Sequence, residues 1–310
     1  MTTTVFIDGA VGTTGLEIRE RLAERAEIDV VTLDDARRKD AAARSEALND
    51  ADIVILCLPD DAAREAVGLI ANPRTRVIDA SSAHRIAEGW TYGFAELEPA
   101  QAQAIAAATR VSNPGCYPTG FLALVRPLVR AGLVPHDFPL SVNAVSGYSG
   151  GGRAMIEAFE GGTEPTAFRA YAMALGHKHV PEMQRHARLE HPPIFQPAVA
   201  RTYRGMVVEV PLPLYALPRR PGLATIEATL RDAYRDSPLI RVESDPDDVP
   251  VPIEVDAGSD RLTLRVYGNA ERGHARLVAT LDNLGKGAAG AAVQNLNLMA
   301  GFDPVAGLTV

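Results

Sequence analysis

Two short stretches of the chain hold side chains able to do covalent chemistry. Ser112-Asn113-Pro114-Gly115-Cys116-Tyr117-Pro118-Thr119-Gly120 places a thiol after a short strand pattern, Arg110-Val111-Ser112, and a Pro-Gly turn. The segment that follows, Gly120 to Arg130, has a helical pattern, so Cys116 falls at a helix N-terminus. That position lowers a thiol pKa and favours the nucleophilic thiolate. Cys57 is the contrast: embedded in the apolar run Ile53 to Leu58, it reads as a small hydrophobe. A nucleophilic cysteine needs an acid or base, and Gly176-His177-Lys178-His179-Val180-Pro181-Glu182 supplies two imidazoles, with Pro181 and Glu182 suited to a first helical turn. His-x-His spacing also suits metal, but no second ligand pair is visible and no metal is expected.

Three glycine-rich turns stand out, two of them of a kind that can bind anions, although tight turns use glycine for positive φ whatever the ligand. Gly9-Ala10-Val11-Gly12-Thr13-Thr14-Gly15 follows the strand pattern Val5-Phe6-Ile7 and opens a helix, where backbone N–H groups and the helix dipole hold a pyrophosphate. Its GxxGxxG spacing departs from the commoner GxGxxG. After the second strand pattern, Asp34 and Asp35 suit a ribose 2′-OH, whereas Arg37, Arg38 and Lys39 suit a 2′-phosphate; a solvated loop of mixed charge is the third reading. Ser146 to Arg153 either offers donors and a guanidinium to an anionic substrate or is a flexible crossing between domains. Asp282 to Gly290 packs small residues ahead of the last helix, which permits close approach of another backbone or a cofactor.

These residues must be carried by ordered elements, and the composition allows it. At 310 residues, 46 % hydrophobic and 23 % charged, the chain is long enough for about two domains. The first third alternates strands and helices in the βαβ rhythm: strands at 29–33, 53–58, 77–79 and 110–112, a helix at 36–49, and another capped by Asp60 and running to about Ile70. Beyond about residue 140 strands follow in succession, at 140–145, 207–214, 224–230, 239–242, 261–267 and 276–281. Several alternate apolar and polar residues, as in an antiparallel sheet with one wet face. Ser244 to Pro252 reads as a loop, and Lys286 to Met299 as a closing helix. With 31 basic against 39 acidic residues, nucleic acid and anionic lipid are poor partners. Two cysteines give no disulfide framework, and no stretch reads as a leader or a membrane span, so a cytoplasmic protein is expected.

The motifs GAVGTTG, SNPGCYPTG, SGYSGGGR, GHKHVPE and DNLGKGAAGAAVQNLNLM, in this order across nearly the whole chain, closely resemble the short-form N-acetyl-gamma-glutamyl-phosphate reductases of arginine biosynthesis. Aspartate-semialdehyde dehydrogenases share their architecture. The resemblance implies an α/β protein: a Rossmann-type dinucleotide-binding domain over 1–114, an α+β catalytic and oligomerisation domain with a mostly antiparallel sheet over 115–285, and a C-terminal helix over 286–310 returning to the first domain. It implies NADPH-dependent reductive dephosphorylation of N-acetyl-L-glutamyl 5-phosphate to the 5-semialdehyde, with Cys116 forming a thioester and His177 and His179 dividing proton donation and substrate contact. Arg85 and Asn113 match phosphate-binding positions, and Ser146, Ser149 and Arg153 fall in the substrate loop. Ser81, Asn283 and Gly287 fall on the cofactor side, with Gly9, Gly12, Thr13, Thr14, Gly15, Arg37 and Arg38. Asp34-Asp35 is less basic than an NADP site calls for. The alternatives are a paralogous reductase of aminoadipyl or aspartyl phosphate and a dinucleotide-binding redox sensor. A homodimer or homotetramer is expected.

Overall fold

The computed structural model describes residues 2–34, 36–244 and 249–310, so Asp35 and residues 245–248 of the expected loop lie outside the described residues. The chain divides into two compact units, one running to Gly115 and resuming over Ala288–Leu308, the other spanning Cys116–Gly287 with Thr309–Val310.

In the first unit, β1 (Thr3–Asp8), α1 (Thr13–Leu22), β2 (Ile28–Val31), α2 (Ala41–Asp50), β3 (Ile53–Leu56), α3 (Asp60–Leu69), β4 (Arg76–Asp79), β5 (Thr91–Tyr92), α4 (Gln101–Ala107) and β6 (Arg110–Ser112) alternate along the chain. Among the described residues the strands make one parallel six-stranded sheet in the order β2-β1-β3-β4-β6-β5. All four residues of β3 are buried because helices cover both faces. Ile53 and Ile55 pack with Ile18, Leu22, Val293 and Leu296, while Val54 and Leu56 pack with Leu48, Ala63 and Ala66 on the other side. Strands β2 and β3 each end two residues short of the sequence reading, and two helix starts differ from it. Helix α2 begins at Ala41, not Ala36, because the Asp34 carboxylate accepts the N–H groups of Ala36 and Arg37 and fixes a turn there, and Asp40 caps the helix instead. Asp60 is not the cap of α3. Pro59 holds that position, and the Asp60 carboxylate accepts the backbone N–H and hydroxyl of Ser82, each at 2.9 Å.

The second unit contains α5 (Cys116–Arg130), β7 (Ser141–Gly147), α6 (Gly152–Glu160), β8 (Phe168–Ala170), α7 (Val180–Ala187), β9 (Ile194–Ala200), β10 (Met206–Pro213), α8 (Leu223–Ala233), β11 (Ile240–Glu243), β12 (Leu262–Asn269) and β13 (His274–Leu281). Its seven described strands run β11-β12-β13-β10-β7-β9-β8, parallel at β7–β9 and β11–β12 and antiparallel elsewhere. Helices α5 and α8 lie on this sheet. Residues 224–230, expected as a strand, belong to α8: Ile226 and Leu230 are one helical turn apart and both buried, and the Thr229 hydroxyl bonds back to the Thr225 carbonyl. Pro127 sits inside α5 and cannot donate to Ala123; the Tyr234 hydroxyl takes that carbonyl instead, at 2.9 Å.

A π-helical turn, Gly285–Ala289, leads into α9 (Gly290–Ala300), whose polar residues fasten the chain end within the first unit. Gln294 donates to Glu96, Asn295 to the Gly93 carbonyl and the Asn113 side chain, and Asn297 to the carbonyls of Pro304 and Ala306. Among the described residues no helix is long and apolar enough to cross a membrane.

Candidate active site

Cys116 is the first residue of α5, and the close seating of that helix on the sheet depends on Gly120, where a β-carbon would stand 2.8 Å from Val208 Cγ2. The thiol therefore sits at the positive end of a fifteen-residue helix. Gly287 passes so close that a β-carbon on it would lie 2.9 Å from Cys116 Cβ. Asp282, fully buried, shapes that approach: its carboxylate accepts the N–H groups of Leu284, Gly285 and Gly258, and its carbonyl accepts that of Gly287.

The two histidines reach the same end of α5 because α7 packs against α5. His179 is the N-cap of α7 and buried, while His177 is half-buried just ahead of it. Their ring centroids are 4.7 Å apart and lie 6.3 and 5.9 Å from Tyr117, with Tyr171 5.8 Å from His177. The Tyr171 hydroxyl donates to that of Tyr117, which donates to the Ala198 carbonyl and also bonds Ser146. Burial first, with a smaller contribution from a charge on Cys116, holds the Tyr117 phenol well above its ordinary pKa and pushes Tyr171 up to about 12. Both phenols are thus neutral donors near the thiol. Neither was singled out from the sequence. Tyr117 lay inside the cysteine motif, but only folding brings Tyr171 from the end of β8 to His177.

The remaining expected substrate residues of this unit separate. Ser149 is buried and accepts from Asn283 Nδ2 at 2.8 Å, and Asn283 Oδ1 takes the Gly205 N–H. Asn283 is therefore a brace that joins three loops. Arg153, by contrast, lies exposed on α6 and pairs with Glu157.

In the first unit, Gly9 has φ +89°, and a β-carbon there would meet the Cys57 carbonyl oxygen at 2.3 Å; one on Gly15 would meet the Gly9 carbonyl at 2.6 Å. Glycine is required at both positions. Gly12 caps α1 without a side-chain bond, so Thr13, Thr14 and Gly15 form a helix start of the kind that can hold an anion. The cleft beside this turn is lined by Gly9, Ala10, Val11, Leu33 and Arg38. Arg38 lines this cleft together with Asp8, while Arg37 pairs with Glu46 at 3.2 Å and Asp34 accepts the N–H groups of its own turn. These residues fit a dinucleotide carrying a 2′-phosphate. Cys57 adjoins the turn, its thiol pushed up to about 12 by burial and then by the carboxylates of Asp79 and Asp8, and is no nucleophile.

At the end of β4, Asp79 accepts the Ser81 N–H and hydroxyl, and His84 Nδ1 lies 2.6 Å from it. Arg85 is buried, with Nε donating to the Asn113 carbonyl at 3.0 Å. The Asn113 side chain donates to the Ala288 carbonyl and accepts from Asn295. Among the described residues no group of three His, Cys, Asp or Glu side chains is placed to hold a metal.

Two family models match the chain: "Semialdehyde dehydrogenase, NAD binding domain" over residues 4–105 and "Semialdehyde dehydrogenase, dimerisation domain" over residues 116–283. An N-acetyl-gamma-glutamyl-phosphate reductase of Mesorhizobium japonicum is 51 % identical over 307 residues, covering 96 % of this chain and 99 % of the relative. One from Burkholderia ambifaria is 53 % identical over 302 residues, covering 96 % of each. Among solved structures, a probable aspartate-semialdehyde dehydrogenase from Pseudomonas aeruginosa shares the fold, with a TM-score of 0.75 at 18 % identity over 97 % of this chain and 99 % of that one. On these matches, the chain belongs to the N-acetyl-gamma-glutamyl-phosphate reductase family of the semialdehyde dehydrogenases.

Proposed function

We propose that the chain reduces N-acetyl-L-glutamyl 5-phosphate to N-acetyl-L-glutamate 5-semialdehyde with release of phosphate, using NADPH, in arginine biosynthesis. The observation that carries this reading is Cys116 at the start of α5 among Tyr117, Tyr171, His177 and His179, in a chain about half identical to reductases of that name. The Cys116 thiolate attacks the acyl carbon, a C–S bond forms, the C–O bond to phosphate breaks, and phosphate leaves without help from a metal because it is already a good leaving group. When bound, NADPH would supply the hydride that reduces the acyl group. The C–S bond then breaks, giving the aldehyde and returning the thiolate. Both addition steps place negative charge on the carbonyl oxygen, and one of the two histidines stabilises it while the other contacts substrate.

In the first unit, the Gly9 to Gly15 turn, with Thr13, Thr14 and Ser81, holds the dinucleotide, and Arg38, assisted by Arg37, takes the 2′-phosphate. Arg85 is a further anion-binding cation of that unit, and Asn113 anchors the segment leading to Cys116. In the second unit, Ser146 and Ser149 line the substrate side, Asn283 and Gly287 shape the approach to the thiol, and Arg153 reaches the substrate only by leaving Glu157. The second unit also carries the contact that makes a homodimer or homotetramer, and the enzyme works in the cytoplasm.

The test is the reverse reaction. Purified protein should reduce NADP⁺ with N-acetyl-L-glutamate 5-semialdehyde only when phosphate is present, and aspartate semialdehyde should be a poor substitute. NADPH binding with no phosphate-dependent turnover of any semialdehyde overturns the reading.

A further inference from the structure

We propose that Arg44 sets the nucleotide preference of the first unit: by cancelling the charge of Asp8, it makes the cleft beside the glycine turn able to hold a 2′-phosphate. This deepens the NADPH reading and rests on it.

The pair follows from the local structure. Phe6 and Asp8 are two residues apart on β1 and so share a face of the sheet. Phe6 packs with Leu48 of α2 on that face, and Arg44 lies one helical turn before Leu48, which brings its side chain over Asp8 at the end of the strand. Arg44 Nε and Nη2 both donate to Asp8 Oδ2, at 3.2 and 2.9 Å. The two side chains are 13 % and 7 % exposed, so water does little to screen the pair. A third nitrogen, Nη1, reaches the exposed Glu65 of α3 at 3.4 Å.

Asp8 is the residue just before Gly9, and it lines the cleft with Leu33, Leu58 and Arg38. Its charge acts beyond the pair, since after burial and Asp79 it is the third influence that raises the Cys57 thiol. An acid in such a cleft suits a ribose that ends in a 2′-hydroxyl and opposes one that carries a 2′-phosphate. The apolar walls supplied by Phe6, Ile7, Leu33 and Leu58 let an uncompensated charge act further than it does in water. Without Arg44, Asp8 would repel the phosphate and compete with it for Arg38. With Arg44 in place, the carboxylate is matched from α2.

The experiment is equilibrium binding of NADPH and of NADH to the full-length protein, read from nucleotide fluorescence at fixed ionic strength and without substrate. Arg44→Met should raise Kd for NADPH about tenfold or more and Kd for NADH less than about threefold. Arg44→Lys keeps the charge and should hold NADPH within about threefold of wild type. Removing the acid as well, in the Asp8→Asn/Arg44→Met double variant, should return NADPH binding to within about threefold of wild type, because no charge is left to cancel. Equal losses for the two nucleotides, or a double variant as weak as Arg44→Met, overturn the proposal, since the pair would then only hold α2 on the sheet. If Arg44→Met does not fold, Asp8→Asn decides: it keeps the cation and removes the acid, so it should bind NADPH at least as tightly as wild type, and a weakening of about tenfold overturns the charge account. Turnover enters none of these measurements. A protein that shows this pattern but reduces no acyl phosphate loses the proposed reaction and keeps this inference, whereas wild-type protein that binds NADPH no better than NADH overturns the inference itself.

Discussion

Gly287 and Cys116 are packed backbone against side chain: a β-carbon on the glycine would stand 2.9 Å from the β-carbon of the cysteine and 3.0 Å from the Asp282 carbonyl oxygen. Two segments far apart in the chain therefore define one wall of the thiol site. Gly287→Ala should push the nucleophile off its position. The expected result is a loss of kcat of about tenfold to a hundredfold with a Tm within a few degrees of wild type, and slower alkylation of Cys116 by iodoacetamide. Unchanged kcat would mean that the contact positions nothing.

The two arginines after β2 should not be equivalent. Arg38 lines the cleft beside the glycine turn, whereas Arg37 pairs with Glu46. Arg38→Ala should raise KM for NADPH about tenfold or more and leave KM for NADH little changed, and Arg37→Ala should have a smaller effect. Equal effects on both nucleotides would remove the 2′-phosphate from the account. Steady-state kinetics with each nucleotide decides it.

The two cysteines should differ in reactivity and in their effect on alkaline stability. At pH 8 a disulfide reagent should modify Cys116 rapidly and Cys57 hardly at all, since the Cys57 thiol is raised to about 12. A thiol whose folded pKa is raised favours the folded state fully below its unfolded value of about 9, and that advantage is lost as pH climbs from there through 12. Cys57→Ala should accordingly flatten part of the fall in denaturation midpoint between pH 9 and 12. An identical slope in the variant would count against the buried thiol as a contributor.

Asn295 anchors α9 through the Gly93 carbonyl and the Asn113 side chain, and neither bond can be replaced by water at a fully buried site. Asn295→Leu should destabilise the first unit by about 1–3 kcal/mol, seen as a lower unfolding midpoint. A midpoint equal to wild type would show that the chain end is held by its apolar face alone.

Much of this arrangement was legible in the residues. The βαβ alternation, the glycine turn, the thiol before a helix and the paired histidines are local signals, set by spacing and by helix-end chemistry, and the structure places each in its expected element. What misled was local pattern where tertiary context decides. Ala224 to Leu230 alternates apolar and polar residues like a strand, yet the one-turn spacing of Ile226 and Leu230 makes the buried stripe of α8. Strand β9 was not anticipated because Pro197 interrupts its pattern, nor α6, because glycines open it. Tyr171 was invisible for a different reason. It lies in no motif, and only the packing of α7 on α5 gives it a neighbour in His177. Asn283, marked for the cofactor side, proved to spend its carboxamide on Gly205 and Ser149, a use that spacing cannot reveal.

The central claim is that Cys116 is acylated, and one measurement reaches it without the nucleotide. Protein mixed with N-acetyl-L-glutamyl 5-phosphate and quenched in acid should release phosphate in proportion to enzyme, and peptide mass spectrometry should find the N-acetylglutamyl group on Cys116 and not on Cys57. Cys116→Ala should show neither the phosphate release nor the adduct, while still binding NADPH. Phosphate release that leaves Cys116 unmodified, or turnover by the Cys116→Ala protein, would contradict the account.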